Sequence, residues 1–304
     1  MRIIFMGSPD FAVPSLDILI KNNFNVVAVI TATDKLGGRG GKKILKTAVK
    51  RYAEEHDIPV LQPKNLKAPE FIEELQSYSA DLQIVVAFRM LPIIVWDMPK
   101  LGTYNLHGSL LPKYRGAAPI HWAVINGEKE TGVTSFKLKH AIDTGDFMFQ
   151  KKQQIGEDET TGEVYEKLRH LGAEVILDTV KAIQAGSIEL IPQDEDLVSK
   201  APKLFHDTCE INWKKPIDEV YNFIRGLSPF PTAWCTLEDK QFNILEARKV
   251  NIKHEEKPGT FEFNKKELRI YAEGGYITPL KVQLQGKKRM PIQDFLNGYN
   301  ALKK

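Results

Sequence analysis

The first half of the chain alternates, segment by segment, between buried-strand and helix patterns, and few architectures accept that order. Ile3 to Met6 is a short apolar run closed by Gly7-Ser8-Pro9, after which Phe11 to Ile20 carries helical spacing. Val26 to Ile30 is a second apolar run, followed by Ile44, Leu45, Ala48, Val49, Tyr52 and Ala53 at helical spacing. Leu82 to Phe88 is a third, and Tyr104-Asn105-Leu106 ends a further strand behind a Gly-Thr turn. Apolar runs this short, separated by helices, suit parallel strands covered on both faces. They predict a doubly wound, Rossmann-like α/β domain. In such sheets ligands bind beyond the carboxyl ends of the strands.

Thr131 to Lys139 breaks the pattern with period-two alternation, which predicts antiparallel pairing there. A long helix is expected over Thr161 to Ala185, with Val164, Leu168, Leu171, Val175, Ile176 and Val180 on its inner face. Residues 187–206 read as a linker, with Pro192 and Pro202 around Asp194-Glu195-Asp196. Beyond it come a helix over Ile217 to Leu227 and short strands at Thr232 to Leu237, Phe242 to Val250, Leu268 to Tyr271 and Ile277 to Leu284. These predict a small OB-like β-barrel domain. The division expected is therefore an α/β domain over 1–186, a linker over 187–206 and a β-barrel domain over 207–304, in keeping with a chain of 304 residues.

The composition, 42% hydrophobic and 27% charged, is that of a globular protein, and no apolar run reaches the ~20 residues of a membrane span. Two cysteines, Cys209 and Cys235, make neither a disulfide framework nor a four-cysteine zinc site. The first strand begins at the initiator methionine, which leaves no space for a targeting peptide. A soluble, cytoplasmic protein is expected, with a monomer as the default state. The net charge of +3 is small, but it is unevenly placed. Residues 207–304 hold 17 Lys/Arg against 13 Asp/Glu, whereas residues 34–51 set seven basic residues (Lys35, Arg39, Lys42, Lys43, Lys46, Lys50, Arg51) against Asp34 alone. Each concentration is either a solvated surface or a surface for phosphates.

Two glycine-containing segments resemble nucleotide sites and fail the test. Gly7-Ser8-Pro9-Asp10-Phe11-Ala12 lacks the second and third glycines of a dinucleotide fingerprint, so NAD and FAD are not expected. In Gly37-Gly38-Arg39-Gly40-Gly41-Lys42-Lys43 only three residues separate Gly37 from Gly41, and no Ser or Thr follows the lysine, so it is no P-loop. Its glycines free the backbone, and its cations suit a phosphate chain.

Asn105-Leu106-His107-Gly108-Ser109-Leu110-Leu111-Pro112-Lys113-Tyr114-Arg115-Gly116 carries the most chemistry. On an extended backbone Asn105 and His107 point to one side and offer two donors to a developing oxyanion. Asp143, in His140-Ala141-Ile142-Asp143-Thr144-Gly145-Asp146, is the expected partner of His107. A carboxylate beside an imidazole fixes its tautomer and supports its cationic form. One Asp-Thr-Gly in a strand-helix setting is not an aspartic protease, which needs two carboxylates on two lobes. An Asn/His/Asp set without a good nucleophile suits direct group transfer.

These residues resemble the folate-dependent formyltransferase family, whose catalytic trio is an asparagine, a histidine and an aspartate. The likeness to its methionyl-tRNA branch extends to Gly7 to Pro14, Tyr114 to Ile120, Ser228-Pro229-Phe230-Pro231-Thr232-Ala233-Trp234, and Gly286 to Met290 with Asp294-Phe295-Leu296. Two places depart from the family's pattern: Leu45-Lys46-Thr47-Ala48 stands where a proline pair is frequent, and Arg89-Met90 where a small residue is frequent. The resemblance implies formyl transfer from 10-formyltetrahydrofolate to methionyl initiator tRNA without a metal. It implies Asn105, His107 and Asp143 as catalytic residues. It implies a folate pocket of Phe88, Arg89, Met90, Leu91, Ser109, Leu110, Leu111, Pro112, His140 and Ile142. It implies tRNA contacts at Arg39, Lys42, Lys43, Lys287, Lys288 and Arg289. A small-amine formyltransferase, a formyltetrahydrofolate hydrolase and a tRNA-binding protein with a degenerate site compete with this reading. The basic segment and the appended domain speak against the first, and the intact trio against the last.

Overall fold

The computed structural model describes residues 1–37, 41, 43–141, 143–264 and 266–302, the side chains of 300–302 excepted. It divides into two compact units, one of Met1–Gly116, Gly132–Gln153 and Tyr165–Lys200, the other of Ala117–Thr131, Gln154–Val164 and Ala201–Lys304.

The strands up to residue 154 are β1 (Arg2–Gly7), β2 (Asn25–Ile30), β3 (Lys35–Gly37), β4 (Lys43–Leu45), β5 (Val60–Leu61), β6 (Leu82–Val86), β7 (Thr103–His107), β8 (Arg115–Gly116), β9 (Glu130–Lys137) and β10 (Phe147–Gln154). The helices up to residue 185 are α1 (Val13–Lys21), α2 (Ala48–Glu55), α3 (Pro69–Ser77), α4 (Ile93–Trp96), α5 (Pro119–Ile125) and α6 (Thr161–Ala185). Seven strands form one sheet in the order β10-β9-β7-β6-β1-β2-β5. Its β1, β2, β5, β6 and β7 pair in parallel, and β9 runs antiparallel to β7. This is the doubly wound sheet the alternation predicts, with the period-two segment as its antiparallel extension.

The pleat sorts the side chains. Ile4, Met6, Ala28, Ile30 and Val85 pack in one layer with Phe71, Ile72 and Leu75 of α3 and Val95 of α4. Asn105 lies in register with Val85, so Asn105 and His107 share that face, and Leu106 takes the other, against Gly172 of α6. The ends of β1, β6 and β7 are level, with Gly7 opposite Val86 and Val86 opposite Leu106. Gly7 has no room for a side chain there: a Cβ would stand 2.7 Å from the Ala12 Cβ and 3.0 Å from the Val86 carbonyl oxygen.

The basic segment contains structure that its lysines and glycines hide. β3 and β4 form a small antiparallel ribbon with Lys35 opposite Leu45 and Gly37 opposite Lys43. Its root is fixed. Thr47 caps α2 by accepting from the Lys50 N–H at 3.0 Å, and the Lys50 ammonium donates to Asp34 at 2.7 Å and to Gln62 at 2.6 Å. Lys46 is paired with Glu54 at 2.7 Å. Lys46 and Lys50 therefore brace the segment, and Arg51 donates to the Lys46 carbonyl at 3.4 Å.

In the second unit, after the short β11 (Lys200–Ala201), come α7 (Ile217–Gly226), β12 (Ala233–Leu237), β13 (Lys240–Asn251), β14 (Phe261–Phe263), β15 (Leu268–Ala272), β16 (Gly275–Leu284), β17 (Met290–Pro291) and α8 (Ile292–Leu302). The sheet is antiparallel, in the order β12-β13-β16-β15-β14 with β17 on β16, a half-barrel with open edges. Val220 and Ile224 of α7, Phe242 and Ile244 of β13, Ile270, Ile277 and Leu296 make its core. Cys209 and Cys235 are buried there, and burial pushes the Cys235 thiol up to about 12, which disqualifies it as a nucleophile at neutral pH. Among the described residues no helix is long and apolar enough to cross a membrane.

Candidate active site

Asn105 and His107 stand at the carboxyl end of β7, on the face the pleat predicts. Asn105 is half-buried and, among the described residues, its amide has no hydrogen-bond partner. His107 is 6% exposed. Its Nε2 lies 2.8 Å from the Tyr114 carbonyl oxygen. A carbonyl only accepts, so Nε2 carries the proton and Nδ1 is the nitrogen left for chemistry. Nδ1 is 3.9 Å from Asp143 Oδ2, too far for a direct hydrogen bond and close enough for opposite charges to act on each other. The structure thus separates two tasks expected of Asp143: the Tyr114 carbonyl fixes the tautomer, and the carboxylate stands beside Nδ1 without bonding to it.

Asp143 itself is held on three sides. Its Oδ2 accepts the Gly116 N–H at 3.0 Å. Its own carbonyl accepts from Gln193 Nε2 at 2.8 Å, and the same amide group donates to the Gly145 carbonyl at 2.7 Å. The aspartate needs this support because its φ is 56°, in the left-handed region, which costs a residue with a Cβ about 1–2 kcal/mol. Two hydrogen bonds of about 1 kcal/mol each offset that strain.

The segment Tyr114-Arg115-Gly116 touches His107, Asp143 and Gln193 alike. The Tyr114 carbonyl receives His107, the Gly116 N–H holds the Asp143 carboxylate, and the Arg115 guanidinium holds Gln193 at 3.1 and 2.8 Å. Arg115 also makes a two-pronged contact with Glu195 at 3.0 and 2.8 Å, and the guanidinium keeps that carboxyl below its ordinary range. Tyr114 and Gly116 have φ of 61° and 129°, and Ser199 pins the segment through the N–H groups of Tyr114 and Arg115, both at 2.9 Å.

Gly145 closes the loop. A Cβ there would collide with the Lys137 carbonyl of β9 and stand 2.9 Å from the Phe136 ring. Because the obstacle is backbone, no rotamer change relieves it. Gly145→Ala is expected to lower stability by about 1–3 kcal/mol, read as a fall in the urea midpoint. An unchanged midpoint would show that the loop is looser than this packing implies.

The residues implied for folate fall into two groups. Ser109, Leu111 and Pro112 are buried in their own loop. The Ser109 hydroxyl donates to the Lys113 carbonyl at 2.6 Å, and Thr134 and Gln150 hold the loop backbone. Leu110 is half-buried and Leu91 belongs to the core layer. Phe88 packs on that layer, while Met90 is 72% exposed beside it. Arg89 turns back onto the Lys64 carbonyl at 3.0 Å and the Pro63 carbonyl, with its guanidinium 5.8 Å from the centre of the Phe88 ring. His140 is exposed and sets its ring edge-on to Trp96, centroids 5.6 Å apart. Ile142 lies outside the described residues.

Of the residues implied for tRNA, Arg39 and Lys42 also lie outside the described residues, and Lys43 is exposed on β4. In the second unit Lys287 and Lys288 are exposed in the turn after β16, and Arg289 donates to the Pro229 carbonyl at 3.2 Å. The Tyr114 carbonyl and the Gly116 N–H are backbone groups of a segment the sequence singles out, and Gln193 reaches the site across a long separation, so residue type signals none of these three contacts.

The formyl transferase family model matches residues 1–180, and the model of the formyl transferase C-terminal domain matches residues 203–300. The chain belongs to the formyl transferase family. It is 50% identical over 303 residues to the methionyl-tRNA formyltransferase of Flavobacterium johnsoniae, covering 98% of this chain and 96% of that one. It is 48% identical over 310 residues to the methionyl-tRNA formyltransferase of Bacteroides fragilis, covering 99% and 95%. In fold it resembles the N-formyltransferase from Helicobacter canadensis crystallised with folinic acid and dTDP-3-aminofucose, with a TM-score of 0.68 at 22% identity over 92% of this chain and 98% of that one.

Proposed function

We propose that the protein transfers the formyl group of 10-formyltetrahydrofolate to the free amino group of methionyl initiator tRNA, giving N-formylmethionyl-tRNA for translation initiation in the cytoplasm. The observation that carries this reading is the placement of Asn105 and His107 on one face of a strand end with Asp143 3.9 Å from the imidazole. The uncharged methionyl amine attacks the formyl carbon, a new C–N bond forms, and the carbonyl electrons move to oxygen. The free Asn105 amide and His107 stabilise that oxyanion, and Asp143 steadies the charge on His107. Collapse restores the C=O and breaks the bond to N10 of the folate. The proton lost by the amine passes to N10, so that tetrahydrofolate leaves as a neutral amine.

The same reading gives Phe88 to Leu91, Ser109 to Pro112, His140 and Ile142 to the folate, and Arg39, Lys42 and Lys43 to the acceptor end of the tRNA. Residues 1–186 serve the chemistry, with Gln193, Glu195 and Ser199 of the stretch that follows bracing it, and residues 207–304 serve the tRNA. A comparison of acceptors tests the assignment: methionyl-tRNA should be formylated far faster than free methionine or an amino sugar nucleotide. Equal rates on a small amine would favour a different member of the family.

The exposed turn at Lys287 and Lys288 gives a second test. Changing both lysines to alanine should weaken tRNA binding and lower the slope of log K against log salt by about two, because two fewer phosphates are neutralised. Folate affinity should hold. Parallel salt lines of equal affinity would remove this turn from the tRNA surface. Arg289 is left out because its contact with Pro229 gives it a structural duty.

A further inference from the structure

Gln193 lies in a stretch whose prolines and acids mark it as a connector, yet its side chain is wholly engaged at the active-site loop. Arg115 settles which way the amide faces. A guanidinium only donates, so the oxygen of Gln193 must turn toward it, at 3.1 Å from Nε and 2.8 Å from a terminal nitrogen. The NH2 end then faces the carbonyls of Asp143 and Gly145, at 2.8 and 2.7 Å. Both amide protons thereby go to the backbone that leaves Asp143, one to its own carbonyl and one to that of Gly145 two residues on, directly after a residue with a left-handed backbone. Arg115 is fixed in turn by its double contact with Glu195.

We propose that Gln193 is a positioning residue for formyl transfer, holding the Asp143 carboxylate at its station beside His107 by clamping the backbone that follows it, at the Asp143 and Gly145 carbonyls. This rests on the reading that Asp143 serves His107. If Gln193 only tied down the connecting segment, its contact with Arg115 would be enough, and the orientation of its NH2 group would be immaterial. Among the described residues the Asp143 carboxylate accepts one hydrogen bond, from the Gly116 N–H at 3.0 Å. Released at the backbone, the carboxylate can swing about that single point, and displacement of a reacting group by about 1 Å can cost 10²-fold in rate.

Gln193→Glu separates the two contacts. It keeps the length of the side chain and its acceptor for Arg115, and sets a second oxygen against two carbonyls in place of the donors. Gln193→Met removes both polar contacts at similar length and serves should the glutamate variant fold poorly. Single-turnover transfer to methionyl-tRNA is expected to slow by about 10²-fold in either variant, with KM for both substrates within about threefold of wild type. In an Asp143→Asn background the same change should cost less than about threefold more, because a residue acting through Asp143 has nothing left to position. Wild-type rates in Gln193→Glu would overturn the proposal, and so would losses that multiply in the double variant. Full activity of Asp143→Asn alone would instead remove the reading beneath it, and the two failures are told apart by that single variant.

Discussion

Replacing Asn105 or His107 with alanine is expected to lower the rate of formyl transfer by ~10²–10³, the usual consequence of removing one oxyanion donor from a preorganised site. The Asn105 substitution is the cleaner of the two. Its amide supports no other group among the described residues, so stability should be unchanged. His107→Ala opens space at a buried position and leaves the Tyr114 carbonyl without its donor, at a cost of about 1–3 kcal/mol. The fold should survive, since the β7 ladder depends on backbone atoms and on Tyr104 and Leu106 of the other face. Stopped-flow or quench measurements with methionyl-tRNA check the rates, and circular dichroism checks the fold. Wild-type transfer in both variants would move the chemistry away from this strand end.

The second large effect is expected at Asp143. Asp143→Asn keeps the shape of the side chain and an oxygen able to accept from Gly116, but it removes the negative charge 3.9 Å from the imidazole. Transfer should slow by about 10²-fold or more, the lower range for loss of acid–base assistance, while folate binding changes little. The structure gives Asp143 no share in fixing the His107 tautomer, which belongs to the Tyr114 carbonyl. The loss should therefore follow the charge. Asp143→Glu, which retains it, is expected to keep more activity than Asp143→Asn even with its geometry disturbed. A reversed order would make the carboxylate a structural element only.

Some features were legible from residue order because they repeat. The apolar face of α6 recurs over 25 residues, and the expected helix and the observed one have the same ends. β1 and β2 are apolar runs over nearly their whole length, and the two-residue spacing of Asn105 and His107 on β7 reads through the pleat. The small ribbon of β3 and β4 was hidden because each strand has only three residues and the pair is rich in lysine and glycine. Gln193 was hidden for another reason. Its partner Asp143 is 50 residues away, the atoms its NH2 group touches are backbone carbonyls, and neither periodicity nor composition records such a contact. The same holds for the Tyr114 carbonyl, since every residue has one. Side chains that do chemistry announce themselves by type, whereas the groups that hold them in place are visible only once the chain is folded.

The mechanism proposed is direct transfer at the Asn105/His107/Asp143 site, with no covalent stage on the protein. The measurement that bears on it most directly follows the label from 10-formyltetrahydrofolate carrying a radioactive formyl carbon. Incubated with the donor alone, the protein should acquire no acid-stable label and release little formate. On addition of methionyl-tRNA, the label should appear in one phase on the methionyl nitrogen, in step with tetrahydrofolate. Label retained on the protein before the acceptor arrives, or formate released at the rate of folate turnover, would contradict the account.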